Sequence, residues 1–315
     1  MQNPHGLHAR PTAKVIETLS PFQSQIWLEK NGTYADAKRY NALIQLGVRQ
    51  HDVIHFYLSG ADAKLALQAV QTLAEGHFGE SIEHTHGSTQ IVQGIAVRAE
   101  TSEGQAVTFR QQFTLAQFPT EPLGDLAEKQ QQLQHAIRIT QQQLAELVAL
   151  PELNDSFSGL FQAHQMLLDE LADELLGELS QQSVGEACWQ LFETMKQSYQ
   201  CLDDPYLQAR TLDLDDLRHR LLHNVYGLPI QQPELSKNAI LIADELYPST
   251  LAQLLTQRFQ GICLQQGNRF SHTALLAQSA NIPLLIECGE SLKQFALGDK
   301  VQVDWLRGEI FLLCS

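Results

Sequence analysis

Two histidines separated by most of the chain, His8 and His272, each stand where a glycine-marked turn runs into a helical pattern, and both have neighbours suited to phosphate. The first lies in His5-Gly6-Leu7-His8-Ala9-Arg10-Pro11. Apolar residues recur at helical spacing over residues 12–19, so a helix begins near His8. Pro11 suits a first turn, where its missing N–H forfeits no intrahelical bond, and Gly6 permits a turn closed to other residues. Free N–H groups and the positive end of the helix dipole favour an anion there. The planar guanidinium of Arg10 can bind two phosphate oxygens at once. Near neutral pH an imidazole is largely unprotonated, which leaves one ring nitrogen as a nucleophile. These groups together suggest acceptance and donation of a phosphoryl group; the competing reading of His8 is a plain helix cap.

The second histidine lies in Gly267-Asn268-Arg269-Phe270-Ser271-His272-Thr273-Ala274, between apolar runs at 261–264 and 283–286 of the kind buried strands use. His272 therefore falls at a strand-to-helix junction. The hydroxyls of Ser271 and Thr273 can hydrogen-bond an imidazole or a phosphate, and Arg269 can offset phosphate charge. Alone, Ser-His-Thr is an ordinary capping sequence. Paired with the first motif it suggests a relay between imidazoles, a reaction in which the protein positions two rings and neutralises charge without needing a metal.

A chain of 315 residues with 43% hydrophobic content has room for two or three packed domains. Residues 125–226 read as almost continuous helix, with proline only at 151 and 205. That stretch holds 17 acidic and 6 basic residues and so carries −11 of the chain's formal −15. Residues 1–80 are balanced, with 7 of each sign, so any attraction between the two must come from local patches such as Arg10 and Arg49. The polar stretch around His84 and His86 has no further ligand at metal-binding spacing and reads as a tether; as a coil it spans on the order of 20 Å. The expected division is 1–80, a linker at 81–93, an α/β domain begun at 94–124 and resumed at 228–315, and a helical insertion at 125–227. No apolar run approaches the roughly 20 residues of a membrane span, and no signal peptide opens the chain, so a cytoplasmic location is expected. The acidity argues against nucleic-acid binding. Five cysteines, at 188, 201, 263, 288 and 314, have neither CxxC nor zinc spacing and read as buried reduced thiols.

On the Gly-Leu-His-Ala-Arg-Pro run, residues 1–80 resemble the HPr phosphocarriers of the bacterial phosphotransferase system. The resemblance implies an open-faced β-sandwich with the phosphoryl group on His8 and Arg10 stabilising it. His5 stands where an Asn is frequent, and Arg39 where regulated HPr proteins carry a Ser, so control by serine phosphorylation is not expected. HPr domains have a strand ahead of this loop. Only Met1, Gln2, Asn3 and Pro4 precede the motif here, so the sheet is expected to lack its first strand, to expose its last at 53–58, and to belong to an N-terminally truncated chain.

Residues 91–315 are similar to the N-terminal part of enzyme I of the same system, on the loop at 267–278, on Ile240-Leu241-Ile242-Ala243-Asp244-Glu245-Leu246-Tyr247-Pro248-Ser249, and on the closing run at 300–304. This implies a swivelling β/β/α phosphohistidine domain with an inserted helical bundle, making an α+β multidomain chain. His272 would be the second phosphohistidine, with Arg269, Ser271 and Thr273 stabilising phosphate. Residues 161–170 and 203–207 resemble the helical subdomain on which HPr docks, which implies docking through His164, Asp169, Glu170, Asp203 and Asp204. Asn268, Phe270, Gln278 and Tyr247 depart from the family's loop. An HPr-like part joined to this part, without the barrel that binds phosphoenolpyruvate and Mg²⁺, resembles the multidomain phosphotransfer subunits of bacterial dihydroxyacetone kinases. That implies HPr and enzyme I as phosphoryl donors, phosphoenolpyruvate as the distant source, no cofactor or metal in this chain, and a IIA domain and dihydroxyacetone kinase subunits downstream. The rivals are a fragment of a fructose-type multiphosphoryl transfer protein and a docking module without turnover.

Overall fold

Helix α1 (Ala9–Leu19) follows directly on the first motif, and Pro11 occupies its first turn. Strand β1 (Gln25–Lys30) alternates exposed and buried side chains, as a strand covered on one face must. It turns through Asn31 and Gly32, both at positive φ, into β2 (Thr33–Asp36), and the Asn-Gly pair is what a tight hairpin with right-handed twist requires. After α2 (Tyr40–Gln45), β3 (His55–Ser59) pairs with the other side of β1, giving an antiparallel sheet ordered β2-β1-β3, and α3 (Ala63–Glu75) packs against α1. Val15, Leu19, Ile26, Leu28, Leu43 and Val70 supply the interior, while Trp27, Tyr34 and Tyr57 lie on the open face. This is the open-faced arrangement expected. The last strand begins two residues later than the sequence suggests because Asp52 accepts the Arg49 N–H at 2.7 Å, which closes a turn and leaves Val53 exposed. Among the described residues β3 has a strand partner on one side only.

The computed structural model describes residues 1, 6, 7, 9–79, 101–119 and 124–313. His8 and the linker at 81–93 lie outside the described residues, as does the side chain of Arg10.

Helices α4 (Leu126–Val148), α5 (Asp155–Glu178) and α6 (Val184–Gln200) begin at recognisable caps, and in the single turn α7 (Pro205–Gln208) the Tyr206 N–H donates to Asp204 Oδ1 at 2.8 Å. Asp125 with Glu128 and Ser183 with Glu186 form capping boxes, and the Asn154 side chain caps α5. The buried Lys129 ammonium is solvated by carbonyls, donating to Leu179 O at 2.5 Å and Gln182 O at 3.0 Å. No helix among the described residues is long and apolar enough to cross a membrane. Cys188 and Cys263 are buried and Cys288 half-buried, but Cys201 is exposed: it caps the end of α6, where the chain turns at the surface.

Strand β4 (Thr101–Phe109) starts a second sheet. Helix α8 (Thr211–Val225) is followed by β5 (Ala239–Ala243), α9 (Pro248–Leu254), β6 (Gly261–Leu264), α10 (His272–Ser279), β7 (Leu284–Leu285), β8 (Lys300–Asp304) and β9 (Glu309–Leu312). The strand order is β7-β6-β5-β4-β8-β9, parallel from β4 to β7 and antiparallel through β8 and β9. β5 and β6 are buried along their whole length, which explains their unbroken apolar sequences. Ile240, Ile242, Cys263, Val301, Val303 and Trp305 belong to one core cluster.

The chain divides into two compact units: Met1–Gly87 with Pro122–Ala149 and Leu153–Gln208, and Ser88–Glu121 with Leu150–Glu152 and Ala209–Ser315. The helical stretch 125–227 thus contributes α4–α7 to the first unit and α8 to the second. The reason lies in α8 itself, whose buried Asp216 accepts from Ser249 Oγ at 2.5 Å and from Ser249 N at 2.8 Å, while Arg220 donates to Ser249 Oγ at 2.9 Å.

Candidate functional site

His272 is the first residue of α10, one position past β6's connecting loop and its N-cap, Ser271. Gly267 allows the loop its positive φ of 134°, and Asn268 folds the next turn by accepting the Phe270 N–H at 2.8 Å on its side chain. An Asn in place of the family's second glycine therefore makes its own local turn. Ser271 Oγ accepts from Ala274 N at 3.2 Å, and Thr273 Oγ1 donates to Leu246 O at 2.6 Å. Both hydroxyls serve to hold α10 in place in this conformation: one caps the helix, the other fastens it to the segment after β5. Arg269 is exposed and its guanidinium stacks 4.7 Å from the centroid of Phe270.

The groups that meet the imidazole come from α8 and the residue before it. His272 Nδ1 lies 2.8 Å from Asp213 Oδ2. The Arg210 guanidinium lies against both ring nitrogens, donates from Nη2 to Phe270 O, and stands 3.3 Å from Asp213 Oδ2. All three side chains are buried, His272 to within 8% exposure. A carboxylate at Nδ1 accepts a hydrogen bond from it and fixes the tautomer with Nδ1–H, which leaves the nucleophilic lone pair on Nε2, beside the Arg210 guanidinium. A guanidinium at the same ring can neutralise oxygens carried by a group arriving at Nε2. Sequence reasoning found His272 and its cap but missed Arg210 and Asp213, which lie about sixty positions upstream; their spacing of three on one helical face is a faint signal that many surface pairs share.

Further along α8 the surroundings are strongly desolvated. His219 is flanked by Phe113 at 4.9 Å, Tyr247 at 5.4 Å and His223 at 4.3 Å between ring centroids. Burial first, and the neighbouring His223 and Arg220 next, push its pKa down to about 3. Burial also pushes Asp216 up to about 6 against the opposing pull of Arg220 and Ser249, and lifts the Tyr247 phenol well above its ordinary range. Tyr247, where the family usually has a Thr, is thus a buried neutral phenol before α9.

Around the first motif, the supporting backbone is defined. Gly6 has φ 66°, and a Cβ there would fall 1.9 Å from Val48 O, so glycine is required by both conformation and space. Leu7 N donates to Val48 O at 2.9 Å and Thr12 Oγ1 to Leu7 O at 3.0 Å, which fixes the chain on both sides of His8.

Of the residues implied in docking, Glu170 on α5 pairs with Arg39 Nε at 3.3 Å and accepts the Asn41 N–H at 3.3 Å. Asp204 pairs with Arg49 Nε at 3.5 Å. Asp169 accepts from Gln141 Nε2 at 2.8 Å, and Asp203 is exposed. His164 is buried, 5.8 Å from the Phe161 ring, and so belongs to the interior of the bundle.

Comparison with known families places each segment. The family models described as "PTS HPr component phosphorylation site", "PEP-utilising enzyme, N-terminal" and "PEP-utilising enzyme, mobile domain" match residues 1–76, 93–210 and 235–308. In that order the three matches make the chain similar to multidomain proteins of phosphotransferase-system type, an HPr-like part followed by an enzyme I N-terminal-like part. A solution structure of an Enzyme I (nEIt) protein is 26% identical, with a TM-score of 0.54, and the match covers 70% of this chain and 92% of that one. Within that class it is similar along nearly its whole length to DhaM, the phosphoryl donor subunit of PEP-dependent dihydroxyacetone kinase. The Pantoea ananatis protein is 34% identical over 310 residues, covering 96% of this chain and 64% of that one. The Escherichia coli protein is 34% identical over 300 residues, covering 93% and 61%. The chain thus spans less than two thirds of these relatives. A multiphosphoryl transfer protein of Escherichia coli is 26% identical over 308 residues but is covered only to 36%.

Proposed function

We propose that this chain is a phosphoryl-transfer relay of the phosphotransferase system, carrying phosphohistidine at His8 and His272 and serving dihydroxyacetone kinase through a IIA domain. HPr and enzyme I are its donors in the cytoplasm, with phosphoenolpyruvate as the source. Residues 1–80 act as the carrier domain, 81–93 as linker, 94–124 with 228–315 as the phosphohistidine domain, and 125–227 as the docking insertion. The observation that carries the reading is the buried Asp213–His272–Arg210 arrangement: a carboxylate 2.8 Å from Nδ1 and a guanidinium against the ring. Asp213 retains the Nδ1 proton, so Nε2 attacks phosphorus as the bond from phosphorus to the donor imidazole breaks. The phosphoryl group moves between two imidazoles and neither side needs a net proton. Arg210 pairs with the phosphoryl oxygens, and Arg10 has the corresponding role at His8.

The similarity to DhaM over more than nine tenths of the chain favours the dihydroxyacetone kinase reading over a multiphosphoryl transfer protein. The test is incubation with enzyme I, HPr and labelled phosphoenolpyruvate, omitting each in turn, with acid-labile phosphate mapped on the wild type, His8→Ala and His272→Ala. Label at both histidines that depends on the added proteins is the expected result. A folded chain that takes up no label at either position is a docking module, and the proposal fails.

A further inference from the structure

The acidic face of the bundle already has an occupant. Helices α1 and α2 of the HPr-like part pack on α5 within the first unit. At one side of the contact Arg39 pairs with Glu170, the Asn41 N–H donates to the same carboxylate, and Tyr199 OH donates to Asn41 Oδ1 at 3.3 Å. At the other, Arg49 pairs with Asp204, and Gly47 lies against Leu207. Beside the Arg39–Glu170 pair runs an open cleft of about 980 Å³, with Glu17, Lys38 and Arg39 on one wall and Asp169, Glu170, Asp173 and Glu174 on the other. Lys38 and Arg39 oppose these four carboxylates across the gap, although residues 1–80 as a whole are neutral.

We propose that the helical insertion's docking face is held by the chain's own HPr-like domain, so that a free HPr-type phosphocarrier must displace it before it can dock. The identity of that competitor rests on the relay reading above; the intramolecular contact does not. Three features make the contact a reversible latch and not a permanent core. Its ion pairs are partly solvated, with the Arg39 side chain 55% exposed, and such pairs are weak individually. The cleft beside the Arg39–Glu170 pair is open, so that edge of the contact stays in water. Two faces joined in one chain meet at an effective concentration of roughly millimolar, so even a contact with a dissociation constant of about 0.1 mM is closed roughly nine tenths of the time. Arg39 has a distinct part in this: a serine at that position offers Glu170 no charge, and a phosphoserine would repel it, whereas arginine attracts it.

The test uses the full chain with Arg39→Glu and Arg49→Glu together, which face Glu170 and Asp204 with like charge and lie outside both histidine motifs. Hydrogen exchange along residues 166–174 and 199–207 should quicken in the variant, and added unphosphorylated HPr should slow it again. Calorimetric titration should show free HPr binding the variant about tenfold more tightly than the wild type, the penalty set by that closed fraction. Unchanged exchange in a folded variant refutes the latch, and quickened exchange with equal HPr affinity in the two proteins refutes the competition. Adding Glu170→Arg and Asp204→Arg should restore slow exchange by reversing both pairs. None of these readouts involves phosphate, so failure of the relay, seen as no label at His8 or His272, is a separate result.

Discussion

Asp213→Asn is the substitution that presses hardest on the chemistry of His272. The native carboxylate can only accept, so it keeps a proton on Nδ1. An asparagine of the same shape can donate its amide N–H to Nδ1 instead, which moves the ring proton to Nε2 and blocks the attacking lone pair. The bond at stake is short, 2.8 Å, and both partners are nearly excluded from water. A hydrogen bond involving a charged partner in such a setting contributes about 1.5–3 kcal/mol, and each 1.36 kcal/mol corresponds to tenfold in rate. Transfer to His272 should therefore slow by about 10- to 150-fold. The assay is single-turnover uptake from phospho-HPr, quenched in base and mapped to His272, over a range of donor concentration. The maximal rate should fall while the half-saturating donor concentration stays within about threefold, because a carboxylate behind the ring cannot touch an incoming carrier. A folded Asp213→Asn protein whose maximal rate is within twofold of wild type would refute the tautomer argument.

Two further predictions concern the scaffold of the same unit. A Cβ at Gly261 would meet Trp305 Cη2 at 2.4 Å and Pro283 O at 2.9 Å, and Trp305 is buried with its Nε1 donating to Ser102 Oγ at 2.9 Å. Gly261→Ala should destabilise this unit by about 1–3 kcal/mol in urea unfolding, and a loss under 0.5 kcal/mol would show that the indole moves aside freely. The second concerns pH. Burial holds the His219 pKa at about 3, below its unfolded value of 6.5, so its contribution is complete above pH 6.5 and is lost as pH falls towards 3. Asp216 runs the other way: raised from 3.8 to about 6, its contribution is present below about pH 4 and is lost as pH rises through 6. Between pH 7 and 5 about 2 kcal/mol is lost at His219 against about 1 kcal/mol gained at Asp216, a net loss of about 1 kcal/mol. His219→Phe should therefore gain about 1 kcal/mol on acidification from pH 7 to 5, measured by denaturant melts, whereas a decline as large as in wild type would mean that His219 is not held neutral.

How much was legible in the sequence depends on how local each signal was. The buried strand β6 and the helix start near His8 were readable because each is decided by a few adjacent residues. Turn conformation, orphan N–H groups and unbroken apolar runs are local physics. His272 at the head of α10 was readable for the same reason. The rest was settled by contacts between distant segments. Nothing local in Arg210 or Asp213 tells that they meet an imidazole some sixty residues later, and Arg269, next to the histidine in sequence, points to Phe270 instead. Helix α8 looks like a continuation of the bundle by composition, yet Asp216 and Arg220 bind it to Ser249 and so to the sheet unit. Of the acidic residues that looked alike in the helical stretch, Glu170 and Asp204 meet arginines, Asp169 binds Gln141, and Asp203 remains exposed. Composition supplied the charge of that face, but which carboxylates do anything with it follows only from where folding puts their partners, because an ion pair or a tautomer-setting hydrogen bond acts over about 3 Å of space and is indifferent to separation along the chain.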